Sequence, residues 1–419
     1  MLGSQPLPAG NRVAILTNAG GPAILRADAC EGNGLVVPRL PDSVREELAA
    51  FLPAAGSTAN PVDMLAAATG EDYSRAIAAV GACSEIDALI VIFTPPLVTK
   101  PAEVVRAIQR AARDLPRPIP LLSVFMSKQT GPRVITSRGV GIPHYPFPED
   151  AARALSLAAR YGAWRAIPEE PLASLDGIDD DRATALIAAA LAGDPGWMAP
   201  EAVTDLLSCY RIPVVDTRFA GSPREAGREA SRLGSPVALK AIVPGLLHKS
   251  DEGAVALGLK GSRAVERAAA EMAARFEQSG RLVTGYQVQP IVATGVEMIV
   301  GVVQDQHFGP VLACGAGGTA TELLKDVAVS ITQITRGEAS RMVRSLKTFP
   351  RLDGYRGAPK ADVGALEDVL LRVSALVEAH PEIGEMDLNP LIVHEAGSVV
   401  VDARIRLMQA ALRPALGAH

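Results

Sequence analysis

The segment LLHKSDEG brings His248, Lys249, Asp251 and Glu252 into one glycine-flanked loop. An imidazole nitrogen is nucleophilic near neutral pH and can carry a phosphoryl group, while a neighbouring ammonium offsets the charge of a loose transition state. The alternative is a loop histidine that only contacts phosphate or packs locally. Lys240 lies in the apolar run PVALKAI. An ammonium in a buried strand is costly unless it meets an anion, so Lys240 is a candidate phosphate ligand. A lysine on an edge strand with its stem along the surface is the competing reading.

In EMDLNPL, Asp387 and Asn389 alternate with Met386 and Leu388, so on a strand both polar groups share one side. Asp402 follows the apolar run Ser398–Val401, inside what reads as a buried strand, VDARI. Oxygen ligands on adjacent strands suit Mg²⁺, which takes a few carboxylates and completes its shell with substrate phosphates. A solvated strand face is the plainer explanation of the alternation. Gly315–Gly318 could bring backbone N–H groups against phosphate, or could form a tight turn. Asn18, Gly20 and Gly21 end a strand and lead into a helix, whose N-terminal amides and dipole make an anion site. A turn that merely packs helix on sheet would use the same residues.

His144, His307, His380, His394 and His419 show no spacing of a triad or metal cluster, and no nucleophile elbow is present. Cys30, Cys83, Cys209 and Cys314 lie far apart with no CxxC pair, which argues against a zinc site or a disulfide framework and fits a reducing cytoplasm. The net charge is −5, with no dense Lys/Arg block, so neither a nucleic-acid footprint nor a polybasic membrane anchor is visible. The apolar stretches are far shorter than the roughly 20 residues needed to cross a bilayer.

These residues need scaffolds to hold them. At 419 residues, 48% hydrophobic and 21% charged, the chain should form two or three cores. Arg12–Thr17 reads as a strand, Asn18–Gly21 as a turn, and Pro22 as the first helical position. ALIVIF and PLLSVF repeat the strand theme with a helix between them. Continuous apolar strands separated by helices imply a parallel sheet covered on both faces, a flavodoxin-like α/β domain over residues 1–165. The Pro- and Asp-rich stretch 166–199, around one Ala-rich helix, reads as a linker. From Pro200 onward the helix Ser262–Gln278 carries Val265, Ala269, Met272 and Phe276 on one face, and strands at Gln287–Val292 and Val296–Val303 flank Ala293–Gly295. The arrangement over 200–419 is α+β, an antiparallel nucleotide clamp.

Ordered motifs along the chain, TNAGGP, NPVDM, FTPPL, LLHKSDEG, CGAGGTATELL, GYRGAP, EMDLNPL and VDARI, resemble those of the acetate–CoA ligase (ADP-forming) family of NDP-forming acyl-CoA synthetases, relatives of succinyl-CoA synthetase. The likeness runs over almost the whole chain and matches that family's C-terminal ligase-CoA and ATP-grasp portion. It implies ATP/ADP and Mg²⁺ as cofactors, with Asn389 and Asp402 holding the metal. Gln289, at an interdomain hinge, and Glu297 would hold the adenosine, with a surface glutamate as the alternative for Glu297. Lys240, Gly317 and Gly318 would contact the phosphates. His248 would relay phosphate between the nucleotide and a first histidine site, although Gly253-Ala254 replaces the usual Gly-Gly after this loop. Asn18, Gly20 and Gly21 would form half of a phosphohistidine clasp.

The family's CoA-binding domain and principal phosphohistidine domain precede such a segment, and neither is recognised before Arg12. The resemblance therefore implies a cytoplasmic phosphotransfer component that needs a partner subunit carrying CoA and the phosphohistidine. A non-catalytic relative that keeps nucleotide or protein binding is the other class. The acid and the choice between ADP and GDP are left open.

Overall fold

A computed structural model describes all residues except 20–27, 96–100, 127–133, 138–139, 194, 235, 247–251, 319–325 and 410–419. The chain divides into two compact units, Met1–Glu169 and Glu170–His419.

In the first unit the strands are β1 (Val13–Thr17), β2 (Val62–Asp63), β3 (Ala88–Phe93), β4 (Leu121–Phe125), β5 (Val134–Ser137) and β6 (Val140–Tyr145). They form one sheet in the order β2-β1-β3-β4-β6-β5, parallel throughout except for the antiparallel β5–β6 edge. The parallel part has the flavodoxin-like order expected from the sequence. Its central strands β1, β3 and β4 are buried along nearly their whole length and mostly apolar because each face feeds a separate core. Ala14, Leu16, Leu89 and Val91 pack with Tyr73, Ile77 and Val80 of helix α1 (Gly70–Ala82). Val13, Ile15, Ile90 and Ile92 pack with Ala152 and Leu155 of α2 (Pro148–Arg165). Helix α1 starts at a capping box formed by Thr69 and Asp72, and the Tyr73 hydroxyl donates to the Ile92 carbonyl at 2.8 Å.

The second unit holds two antiparallel sheets. The smaller has the order β7-β10-β8-β9, from β7 (Arg218–Ala220), β8 (Val237–Ile242), β9 (Val255–Leu259) and β10 (Gly285–Pro290). Helices α3 (Pro223–Leu233) and α4 (Ser262–Gln278) cover one face, where Val265, Ala269, Met272 and Phe276 meet Leu239, Ala241, Tyr286 and Val288. The predicted helical stripe is therefore the core face. The other face of β8 and β10 carries Lys240, Gln287 and Gln289, by the two-residue alternation of a strand.

The larger sheet runs β13-β12-β11-β14-β15, with β16 also on β14. Its strands are β11 (Val296–Asp305), β12 (Gly309–Ala316), β13 (Val327–Ile331), β14 (Ile383–Val393), β15 (Ser398–Val400) and β16 (Ala403–Leu407). Helices α5 (Arg336–Ser345) and α6 (Val363–Ala379) pack on Met298, Val300, Leu312, Met386 and Leu388. The strands around Ala293–Gly295 do not form a hairpin: β10 pairs within the smaller sheet and β11 within the larger, so the segment crosses between them.

The stretch 166–199 contains α7 (Asp180–Leu191), whose Ala183 and Ile187 are buried in the core of this second unit, together with Met198. No helix among the described residues is long and apolar enough to cross a membrane.

Candidate functional site

The sheets of the second unit meet at the turn after β15. Lys240, 7% exposed, donates from Nζ to the Val401 carbonyl at 2.9 Å, and its Nζ stands 3.9 Å from Asp402 Oδ1. Gln289 Nε2 donates to Thr217 Oγ1 at 2.9 Å and to the same Val401 carbonyl at 3.3 Å. Lys240 is thus a buried strand lysine rather than a surface one, and its stem leaves the apolar face of β8 to the helices. A cation, an amide and a carboxylate converge on one peptide.

Asn389 reaches the same place through the backbone, its N–H donating to the Asp402 carbonyl at 3.0 Å. The ladder between β11 and β14 shifts register between Met298 and Val300, opposite Leu391 and Leu388, which gives β14 an extra residue at Asn389-Pro390. Such a bulge re-aims a side chain out of the regular pleat. Met386 and Leu388 are buried, Asp387 is partly buried and Asn389 is exposed. Asp402 corrects one expectation: it sits in the bend between β15 and β16, not inside a strand. A bend frees its carboxylate from the sheet pleat and leaves it partly exposed.

Asp387 faces Arg404 across β14 and β16. Burial raises its pKa, Arg404 opposes that, and the carboxylates of Asp402 and Glu385 add to it. Among the described residues no group of three or more His, Cys, Asp or Glu is placed to hold a metal ion. The oxygen donors at this turn, the Asp402 carboxylate and the Asn389 amide, are of the kind that could serve a hard cation completing its shell with ligand oxygens.

Glu297, the second residue of β11, lies beside Gly317, whose N–H donates to the Glu297 carbonyl at 2.7 Å. A Cβ at Gly317 would lie 2.9 Å from the Glu297 carbonyl carbon, and Gly318 has a φ of +88°. Both glycines are therefore required by a close backbone approach and a left-handed turn. The Glu297 side chain is exposed. Cys314 precedes this turn; it is buried, and burial pushes its thiol up to about 12, so it is no nucleophile. After the segment 319–325, Asp326 accepts from Lys347 N–H at 2.9 Å, Thr348 N–H at 2.8 Å and Thr348 Oγ1 at 2.6 Å. Burial works against its ionisation, and these bonds outweigh it and lower its pKa.

Beside Lys240 and Asp402 opens a cleft of about 430 Å³, lined by Trp197, Ala241, Ile242, Leu246, Ala403 and Arg404 among others. His248 itself lies outside the described residues, as do Gly20 and Gly21. Asn18, in the first unit, is described and buried: its Nδ2 donates to the Thr94 carbonyl at 2.9 Å and its Oδ1 accepts from Thr94 N–H at 2.8 Å. Its amide therefore ties the ends of β1 and β3 together and shapes the turn rather than offering free donors.

Gln287 and Thr217 adjoin the candidate residues Lys240 and Gln289, and the sequence reading does not reach them. Gln287 pairs directly with Lys240 across the sheet. A second amide two residues before Gln289 in YQVQP was the available signal.

A family model described as an ATP-grasp domain matches residues 189–407, and one described as a Ligase-CoA domain matches residues 13–122. The chain is 36% identical to "Acetate--CoA ligase [ADP-forming] I" of Archaeoglobus fulgidus over 95% of this chain and 57% of that protein. It is 35% identical to "Acetate--CoA ligase [ADP-forming] I subunit beta" of Pyrococcus furiosus over 54% of this chain and 98% of that subunit. Among solved structures, the "dinucleotide forming Acetyl-coenzyme A synthetase 1 in complex with coenzyme A, Ca-AMPCP and HgCl+" of Ca. Korarchaeum cryptofilum matches with a TM-score of 0.52 at 33% identity, covering 54% of this chain and 100% of that chain. The chain spans 57–59% of the length of the first three curated relatives it matches. With an ATP-grasp match over half its length and near-complete coverage of a ligase subunit, the chain belongs to the ADP-forming acetate–CoA ligase family of acyl-CoA synthetases.

Proposed function

We propose that this chain is the nucleotide-binding phosphotransfer component of an NDP-forming acyl-CoA synthetase, serving acid + CoA + ATP = acyl-CoA + ADP + phosphate in either direction. The convergence of Lys240, Gln289 and Asp402 on the Val401 peptide supports this reading most strongly, because it sets a cation, an amide and a carboxylate between two sheets of an ATP-grasp unit. Lys240 binds nucleotide phosphate. Gln289 and Glu297 hold the adenosine, and the Gly317-Gly318 turn lets phosphate approach the backbone. Asn389 and Asp402 would hold Mg²⁺, and when bound the ion would supply charge neutralisation on the transferring group.

His248 is the proposed acceptor. Its ring nitrogen forms a bond to the γ-phosphorus, the bond from that phosphorus to the β–γ bridging oxygen breaks, and ADP departs with the electron pair; in reverse ADP takes the phosphoryl group back. The turn holding Asn18, Gly20 and Gly21 forms part of a phosphohistidine site. CoA and the first phosphohistidine are supplied by further domains, on a partner subunit or elsewhere in a longer polypeptide. A cytoplasmic setting belongs to the same proposal and agrees with four free cysteines.

The test is to incubate the protein with Mg²⁺ and γ-labelled ATP and to look for an acid-labile, alkali-stable adduct that His248→Ala abolishes. An adduct that survives the substitution assigns the acceptor elsewhere. A protein that binds neither ADP nor ATP contradicts the whole reading.

A further inference from the structure

The strand at one end of the larger sheet, β13, reads VAVSI, and among the described residues nothing pairs with its outer edge. Its outward side chains Val327, Val329 and Ile331 are 51%, 65% and 50% exposed, whereas Ala328 packs against the core on the other face. Edge strands are ordinarily blunted by charge, by proline or by a bulge, because a row of open backbone N–H and C=O groups recruits another strand. β13 has none of these. Neither it nor its neighbour β12 (GPVLACGA) contains a charged residue, in a chain that is 21% charged, and its ladder to β12 runs without a register shift from Ile331–Val311 to Val327–Gly315.

Exposure is concentrated at this edge. One strand inward on the same face, Val311 and Ala313 are only partly exposed and Gly315 is buried. Stacking one sheet face on another would leave the most exposed row at the rim of the contact, whereas addition of a strand puts that row at its centre. The strand that fits must itself be uncharged and β-branched, and β13 is such a strand. A two-fold axis through Val329 sets two copies antiparallel, with Val329 opposite Val329 and Val327 opposite Ile331. Every outward side chain then meets a β-branched one, and no charge meets a like charge.

We propose that β13 is a self-association edge, through which two copies of this chain join their larger sheets into one continuous sheet. A contact about 17 Å long and one strand deep buries less than the roughly 800 Å² per partner of a standard interface, so the dimer is weak and concentration-dependent.

Sedimentation equilibrium of the whole chain from about 1 to 200 µM should show monomer passing to dimer with a micromolar dissociation constant. Val329→Lys sets two ammonium groups opposite one another and should weaken association at least about tenfold, while Val303→Lys, on the same face two strands inward, should leave it within about threefold. Cysteine substitution reads the register separately, since the four native cysteines are buried. Two copies of Val329→Cys have Cα atoms about 5 Å apart and should form a disulfide-linked dimer under mild oxidation, whereas two copies of Val327→Cys stand about 14 Å apart and should not. Should Val329→Lys not fold, the cysteine pair alone decides. A wild-type protein that stays monomeric throughout, a dimer that Val329→Lys leaves intact, or one that Val303→Lys abolishes overturns the proposal, as does cross-linking through Val327→Cys in place of Val329→Cys.

Discussion

The Lys240 ammonium, carried by β8 of the smaller sheet, donates to the Val401 carbonyl at 2.9 Å and stands 3.9 Å from Asp402 Oδ1, beyond the end of β15 in the larger sheet. This contact ties the sheets together where phosphate is proposed to bind. Lys240→Met removes a charge-assisted bond and leaves a carbonyl and a carboxylate without their cation. Chemical unfolding should show a loss of about 1.5–3 kcal/mol, and ADP affinity should fall at least about tenfold. An unchanged unfolding midpoint would argue that the contact is incidental.

Gly317 approaches Glu297 too closely for any side chain. Its added Cβ would meet the carbonyl carbon at 2.9 Å and the carbonyl oxygen at 3.0 Å, both backbone atoms that cannot swing aside. Gly317→Ala should therefore destabilise the protein by about 1–3 kcal/mol and pull apart the Gly317–Glu297 hydrogen bond. Thermal unfolding of the purified variant reads this directly.

Asp326 holds the Lys347–Thr348 turn through three hydrogen bonds while itself buried. Asp326→Ala leaves two backbone N–H groups without their acceptor, with an expected cost of about 1–3 kcal/mol. Hydrogen exchange at Lys347 and Thr348 should accelerate in the variant, and protection equal to wild type would refute the assignment.

In the first unit, Asp87 accepts from Arg12 at three points: the backbone N–H at 3.0 Å, Nε at 2.8 Å and Nη2 at 2.9 Å. Burial raises its pKa, but the bonds and charge of Arg12 outweigh burial and hold it below the ordinary carboxylate value. The folded pKa is depressed, so this group's stabilisation is fully present above its unfolded pKa of about 3.9 and is lost as pH falls through the folded value. Asp87→Asn should lower stability at pH 7 and flatten the decline in stability below about pH 4. Parallel pH curves for the two proteins would contradict this.

Strands β1, β3, β4, β8, β10, β11 and β14 were legible because their apolar runs are continuous or alternating, whereas β2, β7, β12 and β13 were not read as strands. Val13–Thr17 and Ala88–Phe93 admit few other placements. The helix α1, which its capping box at Thr69 could have announced, and the β5–β6 edge were passed over, since neither has a strong apolar signature of its own. Lys240 was legible from one charge in an apolar strand. Gln287 was not, because its significance comes from a cross-strand neighbour 47 positions away in the chain. The placement of Asp402 depended on where β15 ends, and hydropathy locates a strand end poorly when valines run up to the bend.

The central claim, that Lys240, Asn389 and Asp402 form one Mg²⁺-dependent nucleotide site, is tested most directly by ADP calorimetry with and without Mg²⁺ on the wild-type protein, Lys240→Met and Asp402→Asn. The account predicts that Mg²⁺ strengthens ADP binding to the wild type, that Asp402→Asn removes that strengthening while ADP still binds, and that Lys240→Met weakens ADP in both conditions. Binding that is the same in all three proteins, or indifferent to Mg²⁺ in the wild type, would contradict it.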